Sequence, residues 1–165
     1  MIQYKIKTLL CFFVSVFGLL TATAQHGNEK QSLKEQELNL HNNEVITISQ
    51  LKNKVVLLDF WYMSCPPCLR AIPDLIKLQE EFKDNLVIIG INDKNPQEQI
   101  AEYLKYKKAN YLSTYKTGND ISKNLTIQAF PTTILFDRQG NVIQVDTGYS
   151  KAGMRKLRKL IKAAL

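Results

Sequence analysis

Apolar residues run without alternation from Val55 to Leu58 and resume after Asp59 with Phe60 and Trp61. An apolar run with no two-residue period is typical of a strand that is buried on both faces of a sheet. The segment therefore predicts a central strand that contains one carboxylate. Further strands are predicted at 86–92 and 132–137, with a return strand at 142–146 after a hairpin turn at 138–141.

Helical spacing of apolar residues follows the central strand. It predicts a helix over 69–82, which Pro73 interrupts because a proline there removes the hydrogen bond to the carbonyl of Leu69. Before the central strand, residues 38–40 and 45–48 alternate around a polar turn and predict a β-hairpin. Helices are also predicted at 97–107, 120–125 and 151–165, and a short strand at 111–115.

The first 24 residues have the pattern of an export signal peptide. Two lysines precede an apolar run over 9–20, and Ala22-Thr23-Ala24 places small residues before Gln25, where we expect cleavage. The run is shorter than the roughly 20 residues of a membrane span, and an uncleaved membrane anchor formed by residues 9–20 is the alternative. Cys11 lies inside this segment, so we expect the signal peptidase to remove it.

Composition sets the remaining domain boundaries. Residues 25–35 are polar and predict a flexible linker, which leaves 36–165 as one domain by length.

The formal charge is +7, or +5 without Lys5 and Lys7. No arginine-rich stripe with interleaved aromatic residues is present, so nucleic-acid binding is not expected. The last predicted helix has an apolar stripe of ordinary width, which favours packing on the sheet over membrane-surface binding.

Two cysteines separated by two prolines, Cys65 and Cys68, follow the central strand. Residues three apart in the first turn of a helix lie on the same side, close enough for a disulfide. The positive end of the helix and its free N–H groups favour a thiolate at Cys65, and prolines in the first turn cost little stability. The pattern therefore indicates an exposed thiolate beside a resolving thiol, as thiol–disulfide exchange requires.

Other uses of this cysteine pair are weaker. A structural zinc site needs four ligands, and the two histidines, His26 and His41, lie far upstream with no second cysteine pair. A purely structural disulfide would close a very short loop, where the entropic stabilisation is smallest. A copper-handling module would lack a nearby ligand set beyond Met63. We expect no metal, and no cofactor besides a redox-active Cys65–Cys68 disulfide.

Several motifs together resemble the thioredoxin superfamily, and more narrowly its exported TlpA/ResA-like thiol–disulfide oxidoreductases. The resemblance covers roughly residues 36 to 163. It implies a thioredoxin-like α/β fold, with a central mixed β-sheet flanked by helices, an N-terminal β-hairpin and an inserted α/β element over 93–125. The motifs are Asp59-Phe60-Trp61, Cys65-Pro66-Pro67-Cys68, Pro73 and Phe130-Pro131-Thr132-Thr133.

The resemblance also implies catalytic roles. Cys65 would attack the substrate and Cys68 would resolve the mixed disulfide. Burial should raise the pKa of Asp59, and the resemblance implies that this acid helps Cys68 to lose its proton. The bond between Phe130 and Pro131 would be cis and lie against the cysteine pair, although a strand-entry proline explains Pro131 equally well from the residues alone.

A second group of residues is expected to contact substrates. The backbone of Phe130 would pair with an extended substrate segment. Ser64 stands where thioredoxin has a second tryptophan, which puts a thioredoxin-like substrate preference in doubt. Trp61 matches the tryptophan beneath the motif, for which a core role accounts equally well. The expected substrate-binding residues are Trp61, Ser64, Pro66, Pro67 and Phe130.

These expectations describe an enzyme that exchanges disulfides with protein thiol or disulfide substrates in a periplasmic or otherwise extracytoplasmic compartment. The resemblance favours a monomeric reductant that is recharged by a membrane electron donor, such as a thiol-reducing transmembrane protein. A disulfide oxidase or isomerase is the alternative, because reduction potentials in this superfamily span about −270 to −120 mV.

Overall fold

Seven strands and four helices make up the regular structure of the part of the chain that the structure describes. The computed structural model describes residues 35–117 and 121–165. The elements are β1 (Leu38–Asn39), β2 (Val45–Ile46), a 3₁₀ turn (Ile48–Gln50), β3 (Val55–Phe60), α1 (Pro66–Glu81), β4 (Leu86–Ile91), α2 (Gln97–Tyr106), β5 (Leu112–Ser113), α3 (Ile121–Asn124), β6 (Thr132–Phe136), β7 (Val142–Thr147) and α4 (Lys151–Ala164).

The predicted central strand, β3, lies in the middle of a five-stranded sheet with the order β5-β4-β3-β6-β7. It runs parallel to β4 and antiparallel to β6, so the sheet is mixed. All six residues of β3 are buried. Because side chains alternate between the two faces of a strand, both faces of the sheet are covered at β3, as the unbroken apolar run predicts.

Helices α1 and α4 pack together against one face of this sheet. Leu57 of β3 and Ile88 of β4 share a buried cluster with Leu75 of α1 and with Leu157 and Ile161 of α4. Burying large aliphatic side chains of this kind stabilises the fold by about 1.5–3 kcal/mol for each one. The helix that begins at the cysteine pair is therefore anchored to the sheet by its later turns.

A second buried cluster joins the start of α1 to α2. It contains Trp61, directly after β3, together with both cysteines, Ile72 of α1, and Ile100 and Leu104 of α2. The cysteine pair thus lies on a packed support rather than on a free loop.

The N-terminal β-hairpin is present and contacts the inserted element. Leu38 pairs with Ile46 across β1 and β2. Leu40 forms an isolated bridge with Thr114, and the backbone N–H of His41 donates to the carbonyl of Ser113 at 2.9 Å. These bonds attach the hairpin next to β5, which extends the sheet beside β4.

Element boundaries differ from the sequence-based prediction by a few residues. Of the strand predicted at 111–115, Leu112–Ser113 form the strand β5, which pairs with Ile89 and Gly90 of β4. Helix α1 continues through Pro73 to Glu81. Helix α4 begins after Ser150, whose Oγ accepts a hydrogen bond from the N–H of Gly153 at 3.0 Å.

The predicted signal peptide (1–24) and the linker up to residue 34 lie outside the described residues. Gln36–Leu165 form one compact unit by their internal contacts. Among the described helices, none combines the length and apolar character that crossing a bilayer requires.

Candidate active site

The cysteine pair lies where β3 leads into α1. Cys65 and Cys68 form a disulfide, with their Cα atoms 5.3 Å apart. Cys65 is the N-cap residue of α1, and its Sγ accepts a hydrogen bond from the backbone N–H of Cys68 at 3.3 Å. The first cysteine therefore uses the same sulfur to close the disulfide and to cap the helix.

The two prolines limit how the helix end can stabilise this sulfur. An N-cap side chain accepts hydrogen bonds from the N–H groups two or three positions further on. Pro66 and Pro67 occupy the first two helical positions and have no N–H, so Cys68 supplies the one remaining donor. Charge on Cys65 is therefore met by a single backbone hydrogen bond and by the helix dipole.

The structure corrects the expectation that Cys65 is exposed. Its exposed fraction is 3%, and that of Cys68 is zero. The side chains of Tyr62, Met63 and Phe130 pack against the cluster that holds the pair. The difference arises because sequence spacing gives the side of the helix but not the aromatic side chains that close over it. Cys65 is still the more exposed of the two residues.

Pro131 brings a distant segment of the chain to the site. The bond between Phe130 and Pro131 is cis, and Thr132 directly after it pairs with Phe60 at the end of β3. The ring of Phe130 meets the ring of Tyr62 edge to face, with centroids 5.1 Å apart. The predicted cis-proline segment thus lies beside the segment that leads to Cys65.

Asp59 is buried within β3, and 1% of its surface is exposed. Neither carboxylate oxygen has a hydrogen-bond partner among the described residues. Burial raises the pKa of Asp59 to about 7, because desolvation penalises the charged form. The carboxyl group therefore can exchange a proton near neutral pH, as the apolar surroundings in the sequence predict.

Asp59 also lines a cavity of about 340 Å³ on the face covered by α1 and α4. Ala71 of α1, one turn after Cys68, forms part of its wall, and so does Pro131. Thr133 and Asp146 line the same cavity from β6 and β7. The buried carboxyl group, the helix of the cysteine pair and the cis-proline thus border one space.

Trp61 is nearly fully buried, with 1% exposed. Its Nε1 donates to Ser113 Oγ at 3.0 Å. A Cβ atom at Gly90 would lie 2.6 Å from that nitrogen and 2.7 Å from that oxygen, so the hydrogen bond requires a glycine in the neighbouring strand. These contacts favour the core role of Trp61 over direct contact with a substrate.

The other expected rim residues are nearer to solvent. Ser64 and Pro66 are exposed and Pro67 is half-buried. No group of three His, Cys, Asp or Glu side chains in residues 35–117 and 121–165 is placed to hold a metal ion. The exposed positions form the part of the loop that an incoming molecule can reach.

Sequence reasoning missed three residues at this site. Tyr62 lies within the motif itself, and its position beside the cysteines was a usable signal. Ser113, which holds Trp61, and Asp146, which lines the cavity, reach the site through strand pairing. No local pattern in the sequence shows that pairing.

Comparison with known proteins agrees with this geometry. The Redoxin family model matches residues 25–161, which is most of the chain. The chain belongs to the Redoxin family. Its thioredoxin-like fold also matches a crystal structure of a candidate thiol:disulfide interchange protein DsbE from Chlorobium tepidum. That match has a TM-score of 0.71 and 24% identity, and covers 78% of this chain and 92% of the other.

Two relatives of this Redoxin family member are named for the chemistry. Thiol-disulfide oxidoreductase ResA of Halalkalibacterium halodurans is 29% identical over 137 residues, which are 82% of this chain and 76% of the relative. ResA of Bacillus subtilis is 29% identical over 108 residues, 65% of this chain and 60% of the relative. The predicted thioredoxin-like fold, the ResA-like resemblance and the assignment as a thiol–disulfide oxidoreductase are confirmed.

Proposed function

We propose that this Redoxin family member is an extracytoplasmic reductant that breaks disulfides in protein substrates. The observation that carries the proposal is the Cys65–Cys68 disulfide at the N-terminus of α1, beside a cis-proline segment. Export is supported by the pattern of residues 1–24, which form the proposed signal peptide before the linker (25–35) and the thioredoxin-like domain (36–165).

The reducing direction is supported by the cap of α1. A strong disulfide oxidant of this kind owes its potential to a stabilised reduced form. Here one backbone N–H faces Cys65 Sγ, because both prolines lack a donor. With less stabilisation of the thiolate, the dithiol gives up its electrons more readily. A membrane electron donor of the thiol-reducing type would then return two electrons to the Cys65–Cys68 disulfide.

The proposed cycle conserves atoms and electrons. The Cys65 thiolate attacks one sulfur of the substrate disulfide, and the other substrate sulfur leaves as a thiolate that takes a proton from water. Cys68 passes its proton to Asp59 and then attacks Cys65 Sγ, which expels the second substrate sulfur. The substrate gains two electrons, and the enzyme leaves the cycle as the disulfide.

The proposed roles of the remaining residues follow from their positions. Pro131 and the backbone of Phe130 present an edge with which an extended substrate segment pairs. Ser64, Pro66 and Pro67 form the reachable part of the loop around Cys65. Trp61 supports the pair from below through its hydrogen bond to Ser113.

A pair of cysteine variants tests the proposed roles of Cys65 as the attacking and Cys68 as the resolving cysteine. Cys68→Ser keeps the attacking sulfur but not the resolving one, so substrates should accumulate as mixed disulfides on Cys65. Cys65→Ser should trap nothing, because Cys68 is fully buried. Non-reducing electrophoresis and mass spectrometry of adducts from cells measure both. Trapping by Cys65→Ser alone would reverse the roles, and trapping by neither folded variant would refute the function.

Export is tested separately. Intact-mass measurement after cell fractionation should find a chain that starts at Gln25 outside the cytoplasm. Full-length chain in the membrane fraction would instead support the anchor formed by residues 9–20.

A further inference from the structure

The proposed role of Asp59 leaves its proton without an evident exit. The carboxyl group is 1% exposed, and its oxygens have no hydrogen-bond partner among the described residues. A proton taken from Cys68 has to leave before Asp59 can accept the next one. The cavity that Asp59 borders offers a route for this exit.

Strand pairing aligns two polar side chains with Asp59 across the sheet. Asp59 of β3 is paired with Thr133 of β6, and Thr133 is paired with Asp146 of β7. Residues directly opposite each other on neighbouring strands point to the same face, with Cβ atoms about 4.5–5.5 Å apart. The three side chains thus form a row from the centre of the sheet to its edge.

The cavity follows this row. Asp59, Thr133 and Asp146 all line it, and its volume is about 340 Å³. Since a water molecule takes up about 30 Å³ in the liquid, a cavity of this size has room for a chain of waters along the polar side chains of the row. At its outer end, the side chain of Asp146 is 35% exposed. The row therefore connects a buried carboxyl group with solvent.

Several charged and polar groups lie near the row of Asp59, Thr133 and Asp146. On α4, Lys156 Nζ lies 3.3 Å from Asp146 Oδ1, which also accepts from Gln144 at 3.0 Å. Tyr149 lines the cavity, but its hydroxyl donates to Asp74 at 2.8 Å. The wall formed by α1 is apolar, with Ala71 and Leu75. Asp146 is thus the one carboxylate besides Asp59 that the described residues place on the cavity wall.

We propose that Thr133 and Asp146, with water in the cavity, carry protons between Asp59 and solvent. In this scheme Asp146 does not contact the cysteines. It acts on the reaction only through Asp59 and is therefore a positioning residue, not a catalytic one. Its carboxylate accepts the proton at the outer end and releases it to bulk water, so that Asp59 returns to its ionised form after each resolution step.

The test compares two variants that lose matched ion pairs. Asp146→Asn removes the carboxylate that pairs with Lys156, and Glu81→Gln removes the one that pairs with Arg158. In both pairs the cation is 53% and the carboxylate 35% exposed, but Glu81 does not line the cavity. Multiple-turnover disulfide reduction, in which Asp59 has to lose its proton between cycles, is measured by stopped flow on the mature protein with excess reductant, in dilute buffer and with added imidazole.

Asp146→Asn should slow multiple-turnover reduction in dilute buffer, by about tenfold at most because loss of a general acid–base group itself costs about 100-fold or more. Imidazole should restore the rate, since a small buffer can replace a lost proton carrier. Glu81→Gln and Asp146→Glu should resemble the unsubstituted protein. An unchanged rate in Asp146→Asn, or slowing that imidazole does not relieve, would overturn the proposal.

A parallel measurement on Asp59→Asn separates this inference from the proposed function on which it rests. If Asp59→Asn leaves resolution unchanged, the role of Asp59 itself is wrong. If Asp59→Asn slows resolution while Asp146→Asn does not slow multiple turnover, the proton route alone is refuted.

Discussion

Replacing Pro67 by alanine should make the disulfide easier to reduce. Pro67 is the second residue of α1, at a position whose N–H group normally points at the N-cap side chain. The substitution therefore gives Cys65 Sγ a second backbone donor beside Cys68 N–H, which already lies 3.3 Å away. A new hydrogen bond to a charged sulfur stabilises the reduced form and not the disulfide.

The size of the effect follows from hydrogen-bond energetics. A hydrogen bond to a charged group contributes about 1.5–3 kcal/mol, and 30 mV corresponds to about 1.4 kcal/mol for a two-electron couple. Pro67→Ala should therefore raise the reduction potential by about 30–65 mV at neutral pH. At low pH, where the reduced Cys65 holds its proton, the difference between variant and parent should disappear.

Equilibration with glutathione buffers measures the potential, and the protein provides its own probe. Trp61 is the single tryptophan of the chain and packs in the same cluster as both cysteines. Its fluorescence should report the redox state of the pair. If the fluorescence of Trp61 does not differ between the two redox states, labelling of free thiols measures the potential instead.

Pro66→Ala is the matched control. It also returns an N–H group to α1, but at the first helical position, which does not face the cap side chain. Its potential should stay close to that of the parent protein. Equal shifts for both alanine variants, or no shift for Pro67→Ala at neutral pH, would refute the argument from the missing donor.

Three further predictions concern stability. Gly90→Ala should destabilise the fold by about 1–3 kcal/mol in urea unfolding, because its Cβ would overlap Trp61 Nε1; an unchanged midpoint would contradict the packing argument. Asp59→Asn should gain stability over the parent as pH rises from about 4 to about 7, by roughly 4 kcal/mol at most, because the pKa of this carboxyl group is about 7 in the folded protein and ordinarily 3.8. Below that range both proteins carry a neutral group at this position, so a gap that does not vary with pH would count against it. Ser150→Ala should cost about 1 kcal/mol by removing the cap on Gly153 N–H, while Ser150→Asp should not.

The sequence was most informative where local chemistry decides the structure. The unbroken apolar run of β3 predicts a strand covered on both faces, and the lone Asp59 within it predicts a raised pKa. Cys-Pro-Pro-Cys likewise predicts the start of a helix, because prolines are tolerated in the first turn. These features depend on a few neighbouring residues.

Features that depend on distant pairing could not be predicted in the same way. Asp146 reaches the row with Asp59 through two strand registers, and the pairing of β6 with β7 shifts between Leu135 and Phe136. The burial of Cys65 depends on side chains such as Phe130, which is far away in sequence. A motif specifies which groups react, whereas the fold determines what covers them.

Because the sulfur of Cys65 also caps α1, the residues that can replace Cys65 in an inactive relative are limited. Position 65 both reacts and starts a helix, so a mutation there acts on activity and on stability together. Serine, threonine, aspartate and asparagine cap helices well, whereas alanine costs about 1 kcal/mol. Descendants that abandon catalysis but keep the scaffold should therefore carry one of these four residues at position 65, and a survey of inactive paralogues would reveal that bias.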